Sequence, residues 1–162
     1  KDLPAGLGES DMPMSKLTSR LGQALLSIPS VKGIFFGEGL SVSGKMGHDA
    51  HDLIDEETNH AGGLEGGRTN GKPILVKLWA KPISTQKKPL PSVDLKTGEK
   101  FESPYVRSDI VVVPAISVIA KALASLIILE SVGSMLGRGT FEQWKNRWND
   151  YIESFPEWLK TK

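Results

Sequence analysis

The sequence predicts an α+β fold in which a small antiparallel sheet packs against helices. Residues 15–28 carry apolar side chains at helical spacing, and a second apolar helix is predicted at 115–136. Between these helices lie a few short stretches rich in β-branched and aromatic residues, which are typical of strands. Because the strands are few and their connections resemble hairpins, we expect antiparallel pairing.

The composition describes one soluble globular domain. The 162 residues are 39% apolar and 24% charged, and this length suffices for one hydrophobic core. The formal net charge of +1 gives no global field that would attract nucleic acid. The absence of cysteine excludes disulfides, thiolate metal sites and a cysteine nucleophile, and it is compatible with the reducing cytoplasm. The opening residues, KDLPAGLGES, contain neither Met nor a leader, so we expect the chain to begin inside a longer protein.

The first half of the chain is expected to contain one helix, one strand and one long loop. The apolar positions of the helix are Leu17, Leu21, Ala24, Leu25 and Ile28. Ser15 is a candidate N-cap for this helix, and Pro29 would stop it. The segment VKGIFF, 31–36, is predicted as a strand. Residues 37–72 show neither the apolar spacing of a helix nor the alternation of a strand, which indicates a binding loop or disorder.

The second half is expected to hold two more strands, separated by a loop, and two helices. Residues 74–81 alternate between apolar and polar, as a half-buried strand does. A loop over Ile83–Tyr105 follows. Asp109–Pro114 is predicted as a strand that leads directly into the apolar helix, with Pro114 suited to its first turn.

The apolar helix at 115–136 raises the question of a membrane span. The uninterrupted stretch ALASLIIL is only eight residues long, seven of them apolar, and Lys121 and Glu130 flank it. We therefore expect a helix in the core of a soluble domain and no contact with a membrane.

A last helix is expected to begin at Thr140, which has capping-box spacing to Gln143. Its large apolar residues form a stripe that is typical of a docking surface: Phe141, Trp144, Trp148, Ile152 and Phe155. We therefore divide the chain into residues 1–137 and an amphipathic helical tail, 138–162.

The segment TNHAGGLEGGRTNGKP, 58–73, contains five glycines in sixteen residues. Its glycine pairs allow positive φ angles and close approach of the backbone to a partner, and successive free N–H groups would form an anion-binding nest. The segment is neither a Walker A loop nor a dinucleotide fingerprint, because no Gly-Lys-Ser/Thr follows and the preceding strand is too far away. A structural turn and a ligand-binding loop both account for this pattern.

Two further segments have the residue types of a polar ligand site. In KPISTQKK, Lys81 ends a strand, and Ser84 and Thr85 follow within one turn. This arrangement suits a phosphate, or it is a solvated basic turn. In VRSDIVVVP, Arg107 and Asp109 project to the same side of the predicted strand, as a surface ion pair or as functional groups.

The three histidines lie in the long loop among aspartates. His48, His51 and His60 accompany Asp49, Asp52 and Asp55. Spacing of this kind in a loop is a weak signal for a metal, so we expect solvated loop residues and no metal site.

Taken together, these segments resemble the chorismate synthase family. The stretches that carry the resemblance are, in order, LPAGLGE (3–9), QALLSIPSVKGIFFGEG (23–39), TNHAGGLEGGRTNGKPI (58–74), AKPIST (80–85) and RSDIVVVPA (107–115). Five motifs in this order make the resemblance specific over residues 3–130. Residues 1–137 would then be the C-terminal part of the family domain, whereas the tail matches little of the family pattern.

The resemblance implies a fold and an activity. The fold would be part of a β-α-β sandwich, usually assembled as a homotetramer. The enzyme would be a lyase of the shikimate pathway, which serves aromatic amino acid biosynthesis in the cytoplasm. It would convert 5-enolpyruvylshikimate 3-phosphate to chorismate and phosphate by an anti 1,4-elimination. This reaction requires reduced FMN without net redox change, and NADPH would be one source of the reducing electrons.

The resemblance also implies site residues, one position at a time. FMN contacts would fall on Gln23, Ala24, Gly66, Arg107 and the run Lys81, Pro82, Ile83, Ser84 and Thr85. Asp109 would be the catalytic residue beside the reactive part of the flavin. The glycines of 58–73 would let the backbone close over the flat flavin, and the run that begins at Lys81 would grip its phosphate.

Two departures from the family pattern leave a second function open. The family's Arg-His-Asp reads Arg107-Ser108-Asp109 here. The resemblance also covers only the C-terminal part of the pattern. The N-terminal part carries two histidines with acid roles, the arginines that grip the substrate and a further flavin segment, and no histidine of this chain replaces them. The alternative is therefore a non-catalytic module of this family, which binds flavin or phosphate or serves in assembly.

Overall fold

The computed structural model describes residues 3–54, 57–85, 88–107 and 111–157. The strands are β1 (Ala5–Gly8), β2 (Val31–Phe36), β3 (Leu64–Glu65), β4 (Arg68–Asn70), β5 (Val76–Ala80), β6 (Pro91–Val93) and β7 (Lys100–Glu102). The helices are α1 (Leu17–Leu26), α2 (Gly47–Ala50), α3 (Val113–Leu136) and α4 (Phe141–Glu153), and a 3-10 helix covers Gly39–Gly44. The strand pairs among these residues are antiparallel, so the predicted α+β class is confirmed.

The described strands form three small sheets. Their strand orders are β1-β4-β3, β2-β5 and β6-β7. In the β2-β5 pair, Ile34 lies opposite Leu78 and Phe36 lies opposite Val76. These four side chains face the helices and contribute to the apolar core.

The core lies between α1, α3 and the β2-β5 sheet. Leu17, Leu21 and Leu25 are spaced four residues apart on α1 and are at most 1% exposed. Leu25 packs with Ile116 of α3 and with the start of β2, while the other two leucines pack against the middle of α3. The helical spacing in the sequence therefore identified the buried side of α1 correctly.

The start of α1 differs from the sequence prediction. Its N-cap position is Lys16, without a side-chain cap, so the prediction of Ser15 as the cap was wrong. The first free N–H of the helix, on Leu17, donates instead to the carbonyl of Gly67 at 2.8 Å. A distant loop thus satisfies a helix terminus that a local side chain usually satisfies.

Both predicted loops contain a β-hairpin that the sequence pattern did not indicate. The β3–β4 hairpin turns at Gly66 and Gly67, whose φ angles are 58° and 94°. Two positive φ angles are typical of a tight hairpin turn. The β6–β7 hairpin has Gly98 in its turn, at φ 74°. Strands of two or three residues are too short to show a period of two, which is why the pattern missed them.

The predicted strand at Asp109–Pro114 is wrong over its described part. Val111 and Val112 are not in a strand, and α3 already begins at Val113. Pro114 lies in the first turn of α3, where its fixed φ fits and its missing N–H costs nothing. Residues 108–110 lie outside the described residues.

Helix α3 is apolar on more than the side that meets the core. By length and composition it could cross a membrane, since an 18-residue window has a mean hydropathy of 2.0 and 11% of that window is buried. Val118, Leu126 and Leu129 are 56–70% exposed on its outer side. A contiguous apolar surface of this kind normally marks a contact with another part of a protein or with a membrane.

Helix α4 folds back onto the rest of the chain. The predicted capping box is confirmed, since Gln143 N–H donates to the Thr140 hydroxyl and the Gln143 side chain accepts from the Thr140 N–H. The Tyr151 hydroxyl donates to the carbonyl of Ala5, and Trp144 Nε1 donates to the carbonyl of Gly137 at 2.7 Å. Trp144 of the predicted stripe therefore contacts the end of α3, while Tyr151, which is not part of the stripe, contacts β1.

Candidate functional site

The run that begins at Lys81 lies beside the C-terminal end of α1. Lys81 follows the last residue of β5, and its main-chain N–H donates to the carbonyl of Ser30 at 2.8 Å. Ser30 belongs to the turn after α1. Lys81, Pro82 and Ser84 are exposed, whereas Ile83 and Thr85 are half-buried. An ammonium and two hydroxyls at an exposed strand end can bind a phosphate by charge-assisted hydrogen bonds.

Gln23 and Ala24 lie in the last turns of the same helix. They line an open groove of about 440 Å³ between α1 and α3. The groove is bounded by Arg20, whose guanidinium contacts the Glu130 carboxylate and donates to the Ser131 hydroxyl at 3.1 Å. Gln23 and Ala24 thus lie in the half of α1 nearest to the turn that contacts Lys81, but Lys81 does not line this groove.

Gly66 lies at the other end of α1. Its neighbour Gly67 accepts a hydrogen bond from Leu17, the first residue of the helix. A ten-residue helix is about 15 Å long, so a ligand that contacts both Gly66 and Lys81 must be elongated.

Glycine is required at some positions of 58–73 by close packing, and at others it is not. Gly62 crosses Gly37 so closely that a Cβ on Gly37 would lie 1.9 Å from the carbonyl oxygen of His60. A Cβ on Gly63 or on Gly67 would come within 2.6 Å of neighbouring atoms. By contrast, a Cβ on Gly66 would meet no heavy atom within 4 Å. Close packing within the described chain therefore explains three of these glycines, and it leaves Gly66 with open space beside it.

A carboxylate and a histidine hold the glycine-rich segment to the end of β2. Glu38 Oε1 lies 2.6 Å from His60 Nδ1, and Glu38 Oε2 lies 2.7 Å from Lys45 Nζ. The Lys45 ammonium and then the His60 imidazole hold the pKa of the Glu38 carboxyl below its ordinary value. Because an ionised carboxylate only accepts hydrogen bonds, Nδ1 of His60 must be the donor.

A second carboxylate holds the backbone of the same segment. Asp52 accepts hydrogen bonds from the N–H groups of His60 at 2.7 Å and Ala61 at 2.9 Å. Burial acts to raise the pKa of Asp52, but these N–H donors outweigh it, so the pKa lies below its ordinary value. Lys72 Nζ donates to the carbonyls of Leu53 and Thr58. The segment before β3 is therefore fixed by charged side chains on both sides.

The remaining candidate residues are Arg107, Asp109 and the histidines and aspartates of the long loop. Arg107 is exposed. Asp109, the expected catalytic residue, and its neighbour Ser108 lie outside the described residues, as does Asp55. His48 pairs with Asp49 at 3.3 Å, and both side chains are well exposed. No group of three or more His, Cys, Asp or Glu is placed to hold a metal ion within the ranges that the structure describes.

Sequence reasoning did not single out Glu38 as a site residue. Its contact with His60 joins residues 22 positions apart and depends on the crossing of two glycine turns. The glycines at 37 and 62 were the available signal, since tight backbone crossings need them.

Comparisons with known proteins agree with the expected family. The family model described as chorismate synthase matches residues 1–132. The chorismate synthase of Carboxydothermus hydrogenoformans is 41% identical over 96% of this chain, and that of Thermotoga maritima is 38% identical over 98%. A crystal structure of chorismate synthase superposes with a TM-score of 0.75 and 28% identity over 99% of this chain.

The comparisons also fix how much of the relatives this chain represents. It spans 42% of the C. hydrogenoformans protein, 43% of the T. maritima protein and 42% of the chain in the crystal structure. The superposition includes the tail, which the family model leaves out beyond residue 132.

Proposed function

Since this chain belongs to the chorismate synthase family, we propose that it is the C-terminal part of a chorismate synthase, a carbon–oxygen lyase acting on phosphates. The full-length protein would convert 5-enolpyruvylshikimate 3-phosphate to chorismate and phosphate by an anti 1,4-elimination. The observation that carries this proposal is the match of both sequence and fold over nearly the whole chain.

The residues present fit an elongated flavin nucleotide. Gly66 has open space beside it, so a flat ring can approach its backbone. Beyond the other end of α1, a helix about 15 Å long, the exposed strand end at Lys81 offers an ammonium and hydroxyls for a phosphate. The phosphate of FMN would therefore bind at Lys81, Ser84 and Thr85, and its ring would lie toward Gly66.

The other proposed flavin contacts come from the resemblance. Gln23 and Ala24, in the groove beside α1, would border the middle of the nucleotide, and Arg107 would add a cation. Reduced FMN, when bound, supplies an electron transiently to the elimination. We assign Asp109 to the place beside the reactive part of the flavin by resemblance, and its carboxylate would hold a proton there. NADPH would be one reductant for the flavin.

The exposed side of α3 supports the proposal that this chain is one part of a larger fold. The chain spans 42% of a relative's length, and the apolar outer side of α3 has no cover among the described residues. We propose that the remainder of the protein covers it, which gives a β-α-β sandwich and not a membrane span. A cytoplasmic homotetramer without nucleic-acid partners is the expected assembly.

The phosphate assignment is tested by flavin titration of the full-length protein. Lys81→Ala should weaken FMN binding by about tenfold to a hundredfold, because it removes a hydrogen bond from a charged group worth about 1.5–3 kcal/mol. Lys100→Ala, on the exposed strand β7, serves as the matched control and should leave the affinity unchanged. Equal affinities for both variants would contradict a phosphate role for Lys81.

A further inference from the structure

The contact between Glu38 and His60 joins the two parts of the chain that carry the ends of the proposed flavin site. Glu38 follows β2, whose partner strand β5 leads to Lys81. His60 lies four residues before β3, whose turn into β4 contains Gly66. Phe36 pairs with Val76 and Val31 with Ala80, so Glu38 and Lys81 lie at opposite ends of this strand pair. The 2.6 Å contact therefore links the far end of the strand pair that leads to Lys81 with the segment before the hairpin that contains Gly66.

The backbone around this contact is held by main-chain hydrogen bonds as well, and Asp52 also holds the N–H groups of His60 and Ala61. Glu38 N–H donates to the carbonyl of His60 at 3.0 Å, and Leu75 N–H donates to the carbonyl of Gly62 at 3.1 Å. The side chains of Glu38 and His60 are 29% and 20% exposed, so water can compete for them when the contact opens. Lys45, on the second oxygen of Glu38, orients the carboxylate toward the imidazole.

We propose that Glu38 is a positioning residue for flavin binding, which acts by holding the imidazole of His60. The inference rests on the proposed function, because it assumes that one ligand spans Lys81 and Gly66. Such a ligand binds tightly only when both ends of its site are held in place beforehand. Together with these main-chain bonds, Glu38 and His60 hold the segment before β3 to the end of β2, and so contribute to the separation of the two ends.

The same chain offers a matched control for this pair. His48 and Asp49 are also a histidine and a carboxylate, but they are neighbours in sequence and their side chains are 78% and 59% exposed. They connect no separate segments. Substitution of His48 changes the same residue type without touching the β3–β4 hairpin.

The test combines oxidised FMN titration with amide hydrogen exchange of the flavin-free, full-length protein. His60→Ala and Glu38→Ala should each weaken FMN binding about tenfold, the effect expected for one lost hydrogen bond to a charged group. Exchange should rise at residues 62–70 and stay unchanged in the β6–β7 hairpin. His60→Asn should restore most of the affinity, because its amide can donate from nearly the position of Nδ1. His48→Ala should change neither measurement.

The outcomes separate this inference from the proposed function. Faster exchange at 62–70 with unchanged FMN affinity in His60→Ala would overturn the positioning role, since the contact would then be merely structural. Unchanged exchange would also overturn it, whether or not flavin binds. Should the alanine variants fail to fold, Glu38→Gln and His60→Asn replace them. Glu38→Gln should then bind FMN more weakly than the unchanged protein, and His60→Asn should bind it nearly as tightly as the unchanged protein. If Lys81→Ala binds FMN as tightly as the unchanged protein while His60→Ala binds it more weakly, the proposed phosphate site is wrong and the role of Glu38 and His60 stands.

Discussion

The main-chain N–H of Leu17 donates to the carbonyl of Gly67 at 2.8 Å, so the glycine-rich hairpin takes the place of an N-cap for α1. A Cβ on Gly67 would lie 2.6 Å from the side chain of Lys16, which requires glycine at this position. The hairpin and the helix are thus positioned together. Any ligand that contacts Gly66 is placed relative to the whole length of α1.

The open space at Gly66 gives the sharpest local prediction. Gly66→Ala should weaken FMN binding by about tenfold, since the new methyl group would occupy the side on which a flat ring approaches. It should also cost about 1–2 kcal/mol of stability, because an L-residue at positive φ is strained. Flavin titration and urea denaturation of the full-length protein measure the two effects.

Gly98→Ala is the matched control for that experiment. Gly98 also has positive φ, 74°, and open space around its Cβ position, but it lies in the β6–β7 turn. It should lose a similar amount of stability and keep its flavin affinity. An equal loss of affinity in both variants would mean that Gly66 acts only through the fold.

Asp52 should make the glycine-rich segment sensitive to acid. Its pKa is lowered in the folded protein, so its contribution to stability is fully present above the unfolded value of about 3.9 and is lost as the pH falls through the folded value. The amide NMR signals of His60 and Ala61 should therefore shift below about pH 4. Asp52→Asn should remove this transition.

Asp94 provides the comparison for Asp52. Its pKa is also lowered, by the N–H groups of Thr97 and Lys96 in the β6–β7 turn. Asp94→Asn should leave the acid transition at His60 and Ala61 in place. If that transition disappears in Asp94→Asn but persists in Asp52→Asn, the assignment to Asp52 is wrong.

Tyr151 is one of the side chains that hold α4 to the rest of the chain. Tyr151→Phe should destabilise the protein by about 1 kcal/mol, since the carbonyl of Ala5 would lose its hydrogen-bond donor. Tyr105→Phe removes a hydroxyl from a residue that is 60% exposed and should have no effect. Thermal denaturation of both variants is the measurement, and equal melting temperatures would show that the Tyr151 hydroxyl does not hold the tail.

The elements that follow from sequence alone are those with enough residues to show a period. The leucines of α1, the strand at 31–36 and the capping box at Thr140 were each predicted, and the structure agrees. The short hairpins were missed because two or three residues show no period, and because their pairing depends on turns with positive φ.

The candidate site was predictable only in part, for a related physical reason. The resemblance assigned Lys81, Gln23 and Gly66 to a flavin. The structure places Gln23 in α1, Gly66 near the first residue of that helix, and Lys81 beside the turn that follows it. The Glu38–His60 contact was not predictable, since no local pattern specifies a bond between residues 22 positions apart. Over its described part, 111–114, the predicted strand was wrong because β-branched residues suit a strand, while Pro114 favours the first turn of a helix.

We propose that this chain forms part of an active chorismate synthase. The most direct test is to incubate the full-length protein anaerobically with 5-enolpyruvylshikimate 3-phosphate and reduced FMN, and to follow chorismate and phosphate. We expect both products in equal amounts, and none when the flavin is oxidised or omitted. Binding of FMN without any chorismate would contradict the claim and identify the protein as a non-catalytic member of the family.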